Sequence, residues 1–208
     1  MIGKLKNFIV IICCLLFPAV LRAGVDASLV SKAEKYLNNL TGLTGQFSQE
    51  SNGKKDVGIF SMMRPGRVRL DYKTAPVQLI SNGDDLYFYD KSLDQITTVP
   101  LTATPAGILV RKNINLKTSD IVVSETVQNE DSFSLDLHIK NNEGVGHMWV
   151  DFTNSPVKLK SWVVVDATGT RTNVIFLDLK TKTNFARNYF ELQKQRISSN
   201  SSGDEFYE

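Results

Sequence analysis

His138 and His147 are the only side chains in this 208-residue sequence suited to proton transfer near neutral pH, and both fall in alternating runs. Phe133, Leu135, Leu137 and Ile139 alternate with Ser134, Asp136, His138 and Lys140. Met148, Val150 and Phe152 alternate with His147, Trp149 and Asp151. Each histidine thus lies opposite an apolar set, which suits a surface histidine better than a buried base. The sequence holds no Gly-x-Ser-x-Gly elbow, phosphate-cradling glycine loop or His-x-x-x-His spacing. Its carboxylates are scattered, and an acid pair assembled only by folding stays open. Cys13 and Cys14 both lie in the N-terminal apolar run, so the rest of the chain offers no disulfide, thiolate nucleophile or cysteine zinc ligand. No enzymatic activity, metal or cofactor is expected.

Arg64 raises a different question. It stands two residues past Met62 and four past Phe60, immediately before Pro65. On a regular strand it shares their apolar side. An unpaired buried charge costs several kcal/mol. The guanidinium must therefore snorkel to water, as an ordinary strand-end arginine does, or hydrogen-bond to carbonyls that close over it.

The elements that would position these residues are legible from periodicity. Leu29, Val30, Ala33, Tyr36, Leu37 and Leu40 recur at helical spacing, with Asp26 or Ser28 as cap and Gly42 as stop, predicting a helix over 27–40. From Leu43 the period becomes two. Val68, Leu70 and Tyr72 alternate with Arg67, Arg69 and Asp71, and Leu86 and Phe88 with Tyr87, Tyr89 and Asp90. Val157, Leu159, Ser161, Val163 and Val165 continue the habit, while adjacent Leu79 and Ile80 leave the inward side of 77–81 ambiguous. Turn signals such as Ser51-Asn52-Gly53, Ser81-Asn82-Gly83 and Ala167-Thr168-Gly169 join the strands antiparallel. Roughly nine to eleven strands result. Thr104-Pro105, a cap followed by proline at the first helical position, predicts a second helical piece over about 104–112, its apolar face formed by Ile108, Leu109 and Leu116.

Residues 1–23 read as a secretory signal: Lys4 and Lys6, the apolar run Phe8 to Phe17, then Leu21-Arg22-Ala23 for cleavage. The run is short of the roughly 20 residues a membrane span needs. Lys4, Lys6 and Arg22 leave with it, so 24 basic residues become 21 against 22 acidic ones. Arg67 and Arg69 beside Tyr87, Phe88 and Tyr89 could suggest a nucleic-acid platform, but the charge balance gives no support and a solvated strand face is the plainer account. Residues 24–192 are expected to form one domain, and 193–208 a polar, frayed tail.

Several of these stretches resemble the LolA family of periplasmic lipoprotein carriers. Gly45-Gln46-Phe47-Ser48-Gln49, Gly58-Ile59-Phe60, Arg64-Pro65-Gly66, Leu79-Ile80-Ser81-Asn82-Gly83, Leu86-Tyr87-Phe88-Tyr89-Asp90, Leu93-Asp94-Gln95-Ile96-Thr97 and Pro100-Leu101-Thr102-Ala103-Thr104-Pro105 occur in family order across 43–110. Past residue 185 the likeness thins to Phe185 or Phe190. The resemblance implies a mainly β fold with some α: a single incomplete, open antiparallel β-barrel covered by a helical lid, with an apolar cavity between. It implies a monomeric periplasmic carrier, without cofactor, whose cargo is acylated lipoproteins. The cargo would be received from an inner-membrane ABC exporter and passed to the outer-membrane receptor LolB or its equivalent. It makes Arg64 the lid latch. By parity, the acyl-chain cavity would be lined by Phe47, Phe60, Met62, Val68, Leu70, Tyr72, Leu86, Phe88 and Ile96 from the sheet and by Leu101, Ile108 and Leu109 from the lid. Core and cavity wall alternate alike, so periodicity leaves both open for each of these. The alternatives are a LolB-like receptor, which would need a lipidated cysteine, or another hydrophobic-ligand binder of the same fold.

Overall fold

Alternating apolar residues need something to bury their shared face, and a single long sheet meets that need by curling over its own inner side. The structure, a computed structural model, describes residues 24–117 and 120–192; the expected signal, 1–23, and tail, 193–208, lie outside the described residues. One α-helix, α1 (Ala27–Asn39), precedes six strands: β1 (Gly42–Ser51), β2 (Lys54–Met63), β3 (Arg67–Tyr72), β4 (Val77–Asn82), β5 (Asp85–Asp90) and β6 (Gln95–Pro100). Two 3₁₀ turns, Leu101–Ala103 and Pro105–Val110, lead to β7 (Ile121–Gln128), β8 (Ser132–Ile139), β9 (His147–Thr153), β10 (Leu159–Val165) and β11 (Arg171–Thr181). These eleven strands form one antiparallel sheet in the order β6-β5-β4-β3-β2-β1-β11-β10-β9-β8-β7. Two meanders are thus welded where β1 pairs with β11. The sheet does not close: β6 and β7 are its two edges, and residues 101–117, after β6, run across the open mouth.

The expected fold class holds, and local chemistry explains each lid piece. Asp26 caps α1 by accepting from the Ser28 amide at 2.7 Å, and Leu29, Val30, Ala33 and Leu37 form the buried stripe. Gly42 does not stop this helix. It opens β1, where a Cβ would stand 2.2 Å from the Lys182 carbonyl oxygen. Thr104 accepts from the Gly107 amide at 3.2 Å with Pro105 next. The cap is the one expected, but the piece is a six-residue 3₁₀ turn, not a helix to 112. Burial of Pro105, Ile108, Leu109 and Val110 within six residues fits the tighter winding.

Two irregularities change which residues face inward. A register shift between Leu159 and Ser161 turns Trp162 and Val164 inward and sends Ser161 out to Asp151, reversing the expected parity of Ser161, Val163 and Val165. In β4, Leu79 pairs with Leu70 on the inner face and Ile80 with Arg69 on the outer one. Ile80 is nonetheless completely buried. A second cover crosses this face: residues 183–192, with Tyr189 hydrogen-bonded to Ser61 at 3.0 Å and its carbonyl accepting from Arg69, the strand partner of Ile80, at 2.7 Å. Phe185, Tyr189 and Phe190 cluster there with ring centroids 5.0–5.1 Å apart. The strand face of Arg69 is therefore covered, not solvated: its guanidinium is clasped by Asp71 at 2.6 Å and stacks over Tyr189 at 4.9 Å.

Gly58 shows how tightly the inner face is filled, since a Cβ there would meet the Asp71 carbonyl oxygen at 2.2 Å and the Phe47 ring at 2.6 Å. Gly58→Ala should therefore destabilise the fold by about 1–3 kcal/mol, the usual penalty of overpacking. Gly144→Ala, whose Cβ meets nothing within 4 Å, should not. Urea unfolding midpoints of the two variants check this.

Candidate functional site

Arg64 immediately follows β2 and leans toward the open mouth, where both lid pieces terminate. Its Nε donates to the Arg111 carbonyl at 2.7 Å, and one Nη reaches the Arg111 carbonyl and, at 3.1 Å, that of Lys112. The other Nη donates to the Leu37 carbonyl in the last turn of α1. A longer bond, 3.5 Å, goes to Asn38 Oδ1. Every one of these acceptors is neutral. Burial pulls the Arg64 pKa below the ordinary arginine value, yet a guanidinium stays charged in proteins. It is satisfied by carbonyls at the ends of the two lid segments, where the peptide dipoles carry partial negative charge; that of Leu37 also accepts from the Leu40 amide at 3.2 Å.

The lid pieces are also tied to each other. Asn38 donates to the Ile114 carbonyl at 2.7 Å and accepts from its amide at 3.0 Å. Glu34, one turn earlier on the same helix face, accepts from the Leu116 amide at 2.7 Å. Leu116, expected beside Ile108 and Leu109, is buried through this second tether. The turn after Arg64 contributes a further bond, from the Gly66 amide to the Val110 carbonyl at 2.7 Å. Helix and 3₁₀ turn therefore form one cover, fastened to the sheet beside the Arg-Pro-Gly turn.

Beneath the cover the interior is dry and nearly full. A cavity of about 40 Å³ remains, lined by Phe60, Met62, Val68, Leu79, Leu86, Leu101, Ala106, Leu109, Val110 and Trp162. That is close to the share of one liquid water, roughly 30 Å³, so no acyl chain fits while the cover is down. A second, open groove of about 850 Å³ lies where β10 and β11 part, beyond their last paired residues Ser161 and Ile175. Leu40, Leu43, Leu159, Phe176 and Leu179 line it, with Lys158, Lys160 and Lys180 at its rim. Trp162 borders the cavity and Phe176 the groove, and their rings touch edge to face at 4.6 Å, both packed on Phe60. An aromatic wall thus separates the two spaces.

Residues 38–193 match the family model described as outer membrane lipoprotein carrier protein LolA. The chain belongs to the LolA family. An outer-membrane lipoprotein carrier protein of Pseudomonas aeruginosa is 30% identical over 79% of this chain and 86% of its own length. The Neisseria meningitidis carrier of the same name is 26% identical over 81% and 84%. A solved LolA superfamily protein from Nitrosomonas europaea overlays with a TM-score of 0.43 at 13% identity, covering 78% of this chain and 96% of that one.

Against this LolA-family frame, the residues expected at the cavity divide. Phe60, Met62, Val68, Leu86, Leu101 and Leu109 line the dry cavity, and Ile108 is buried beside them. Leu70 faces inward within the core. Phe47 and Tyr72 stack edge to face at 5.1 Å and belong to packed core. Burial pushes the Tyr72 phenol up to about 12, and it donates to Gln49 at 2.7 Å. Phe88 and Ile96 do not belong with the others. Phe88 shares the inner face but is 43% exposed, because the cover begins at Leu101, beside Asp84, and leaves the far end of β5 bare. Ile96 pairs with Tyr89 and so lies on the outer face. Sequence reasoning missed Trp162, which the β10 bulge turns inward. It also missed Asn38 and Glu34, whose i, i+4 spacing on the helix signals a shared partner. His138 and His147 stand on the outer face, away from the cavity, both hydrogen-bonded to Asp136.

A hydrogen bond from a charged donor contributes about 1.5–3 kcal/mol. Arg64→Leu should therefore raise transient opening of the 3₁₀ turn and residues 111–117 at least about tenfold. Tryptic cleavage after Arg111 and Lys112 should quicken by that factor, while cleavage in β1–β3 should not change.

Proposed function

We propose that this LolA-family chain is a periplasmic carrier of lipoproteins. It accepts the acyl chains of lipoproteins released by an inner-membrane ABC exporter in the space between sheet and cover, and delivers them to an outer-membrane receptor of the LolB kind. The observation that carries this reading is the fastening of the cover: one strand-end arginine holds both lid pieces by neutral carbonyls, above an interior lined only by apolar side chains. Such bonds are strong enough to close the mouth and weak enough to exchange.

The physical need is plain. An acyl chain gains about 0.8 kcal/mol per buried methylene, so a chain of about 16 carbons stands to gain roughly 12 kcal/mol. It does not cross water unescorted. The carrier must also let go. A closed, well-packed empty form competes with the loaded one and lowers apparent affinity by the fraction of molecules that are open. Arg64 sets that fraction. When chains enter, the small cavity widens as the cover lifts, and the groove between β10 and β11 offers apolar lining continuous with it if Trp162 and Phe176 part. No nucleotide is spent at the carrier; direction follows from the exporter's energy and the receptor's better burial.

Recovery of the exported protein from periplasm should bring acylated lipoproteins with it, identified by mass spectrometry. Arg64→Leu should retain as much cargo or more and pass it to a receptor several-fold more slowly in a reconstituted transfer assay. Protein that carries no acylated material, with transfer by the variant unaltered, would overturn the reading.

A further inference from the structure

A cluster on the outer face of the second meander plays no part in the proposed carriage. Asp136 and His138 lie two apart on β8 and so project from one face. His147 on β9 pairs directly with His138, and the two rings stack with centroids 4.8 Å apart and planes 6° from parallel. One carboxylate serves both: Asp136 Oδ2 is 2.9 Å from His138 Nε2, and Oδ1 is 2.6 Å from His147 Nδ1. Ser124 on β7 donates to Oδ2 at 2.8 Å. Burial opposes ionisation of Asp136, but hydrogen bonds from His147, Ser124 and His138 outweigh it and hold the carboxyl below its ordinary range. The acid is buried at 7% exposure, whereas the His138 and His147 side chains keep 36% and 26%. A solute can therefore reach the imidazoles.

We propose that Asp136, His138 and His147 bind a divalent transition-metal cation of the zinc type. A residue pair i, i+2 on one strand, completed by the residue opposite on its neighbour, presents three donors to one point. Here the donor atoms all lie within 4.8 Å of one another. Tetrahedral zinc, with bonds of 2.0–2.2 Å, wants its donors about 3.3 Å apart. The carboxylate–imidazole distances of 2.9 and 2.6 Å widen by about 0.4 and 0.7 Å, and the widest donor separation, up to 4.8 Å, closes by up to about 1.5 Å as the rings turn from parallel. To bind, each neutral ring gives up to solvent the proton that faces Asp136 and takes one on the opposite nitrogen, so that lone pairs on His138 Nε2 and His147 Nδ1 face the metal. Two imidazoles and a carboxylate favour zinc, nickel or copper over magnesium and calcium, which prefer oxygen. Ser124 fixes the carboxylate from behind, as outer partners of metal ligands do. Three protein donors leave one position for water or for a group from a partner. The placement on mid-sheet strands makes the site rigid before metal arrives. None of this depends on the carrier reading.

The test uses the untagged full chain, stripped with chelator and titrated calorimetrically with zinc chloride. One zinc per chain at micromolar concentration is expected, with magnesium at millimolar concentration failing to compete. His138→Gln and His147→Gln should each weaken binding at least about tenfold, and Ser124→Ala by about tenfold through misplacement of the acid. Circular dichroism establishes that the glutamine variants fold. A wild-type chain that takes up no stoichiometric zinc overturns the site. So does a folded His138→Gln/His147→Gln double variant that retains zinc with unchanged affinity.

Discussion

A cation with no anionic partner among the described residues governs the mouth of this sheet. Arg64 sits where a strand carrying Phe60 and Met62 runs out beneath the cover, and its charge has to be met by something. A carboxylate there would make a tight ion pair, expensive to separate in a dry setting. Instead the guanidinium fork collects carbonyl oxygens from the ends of two segments, sharing that of Leu37 with the Leu40 amide. The arrangement solves two problems at once. It satisfies a charge that burial disfavours, and it gives a helix and a 3₁₀ turn a common anchor on the strand.

The consequence for the rest of the fold is a closed state that is well packed and held at Arg64 by neutral acceptors, with a partly exposed ion pair, Arg111 to Asp120, within the link itself. An open eleven-stranded sheet has two free edges and a long apolar inner face. Left uncovered, that face would drive aggregation. The link from β6 to β7 must cross the mouth in any case, so the sequence loads that link with Leu101, Ile108, Leu109 and Val110 and makes it the cover. These residues complete the core when the mouth is shut, and on the proposed carrier reading they would line a wider space when it opens. Nearly full packing beneath the cover is consistent with carriage: an empty carrier with a standing hollow would lose the contacts that make closure competitive with cargo.

Much of this was legible in the sequence where one rule decided the outcome. Period-two runs and Asn-Gly or Thr-Gly turns gave the antiparallel sheet, and Asp26 and Thr104 marked the starts of the lid pieces. Arg64 stood out because its parity conflicted with its charge. What failed to show did so for physical reasons. A bulge moves parity by one, and nothing in Leu159-Lys160-Ser161-Trp162 announces it. Ile96 reads as an inner-face residue, and adjacent Leu79 and Ile80 leave β4 ambiguous, because apolar character does not say which face is buried; Ile80 is buried on the outer face, which residues 183–192 cross. Phe88 has the right parity but lies past the reach of a lid whose extent depends on where residue 101 meets Asp84. The pairing of His138 with His147 depends on register across a loop, which periodicity within each strand does not supply.

The two faces of the sheet therefore differ in kind as well as in polarity. On the inner face, contacts are apolar and interchangeable: Phe60, Trp162 and Phe176 touch edge to face, and such contacts re-form in many geometries with small loss. That tolerance suits the proposed carriage of flexible chains. On the outer face, contacts are directional. Arg69 is clasped by Asp71 and capped by Tyr189, Asp151 accepts from Ser134 and Ser161, and Asp136 gathers Ser124 and two histidines. Directional networks resist distortion because a half-broken one leaves buried polar groups unsatisfied. The β-framework is thus stiffened from outside, so lifting the cover can enlarge the interior without the strands giving way. The compliance lies in the aromatic wall and the lid, and the rigidity lies in the polar outer networks.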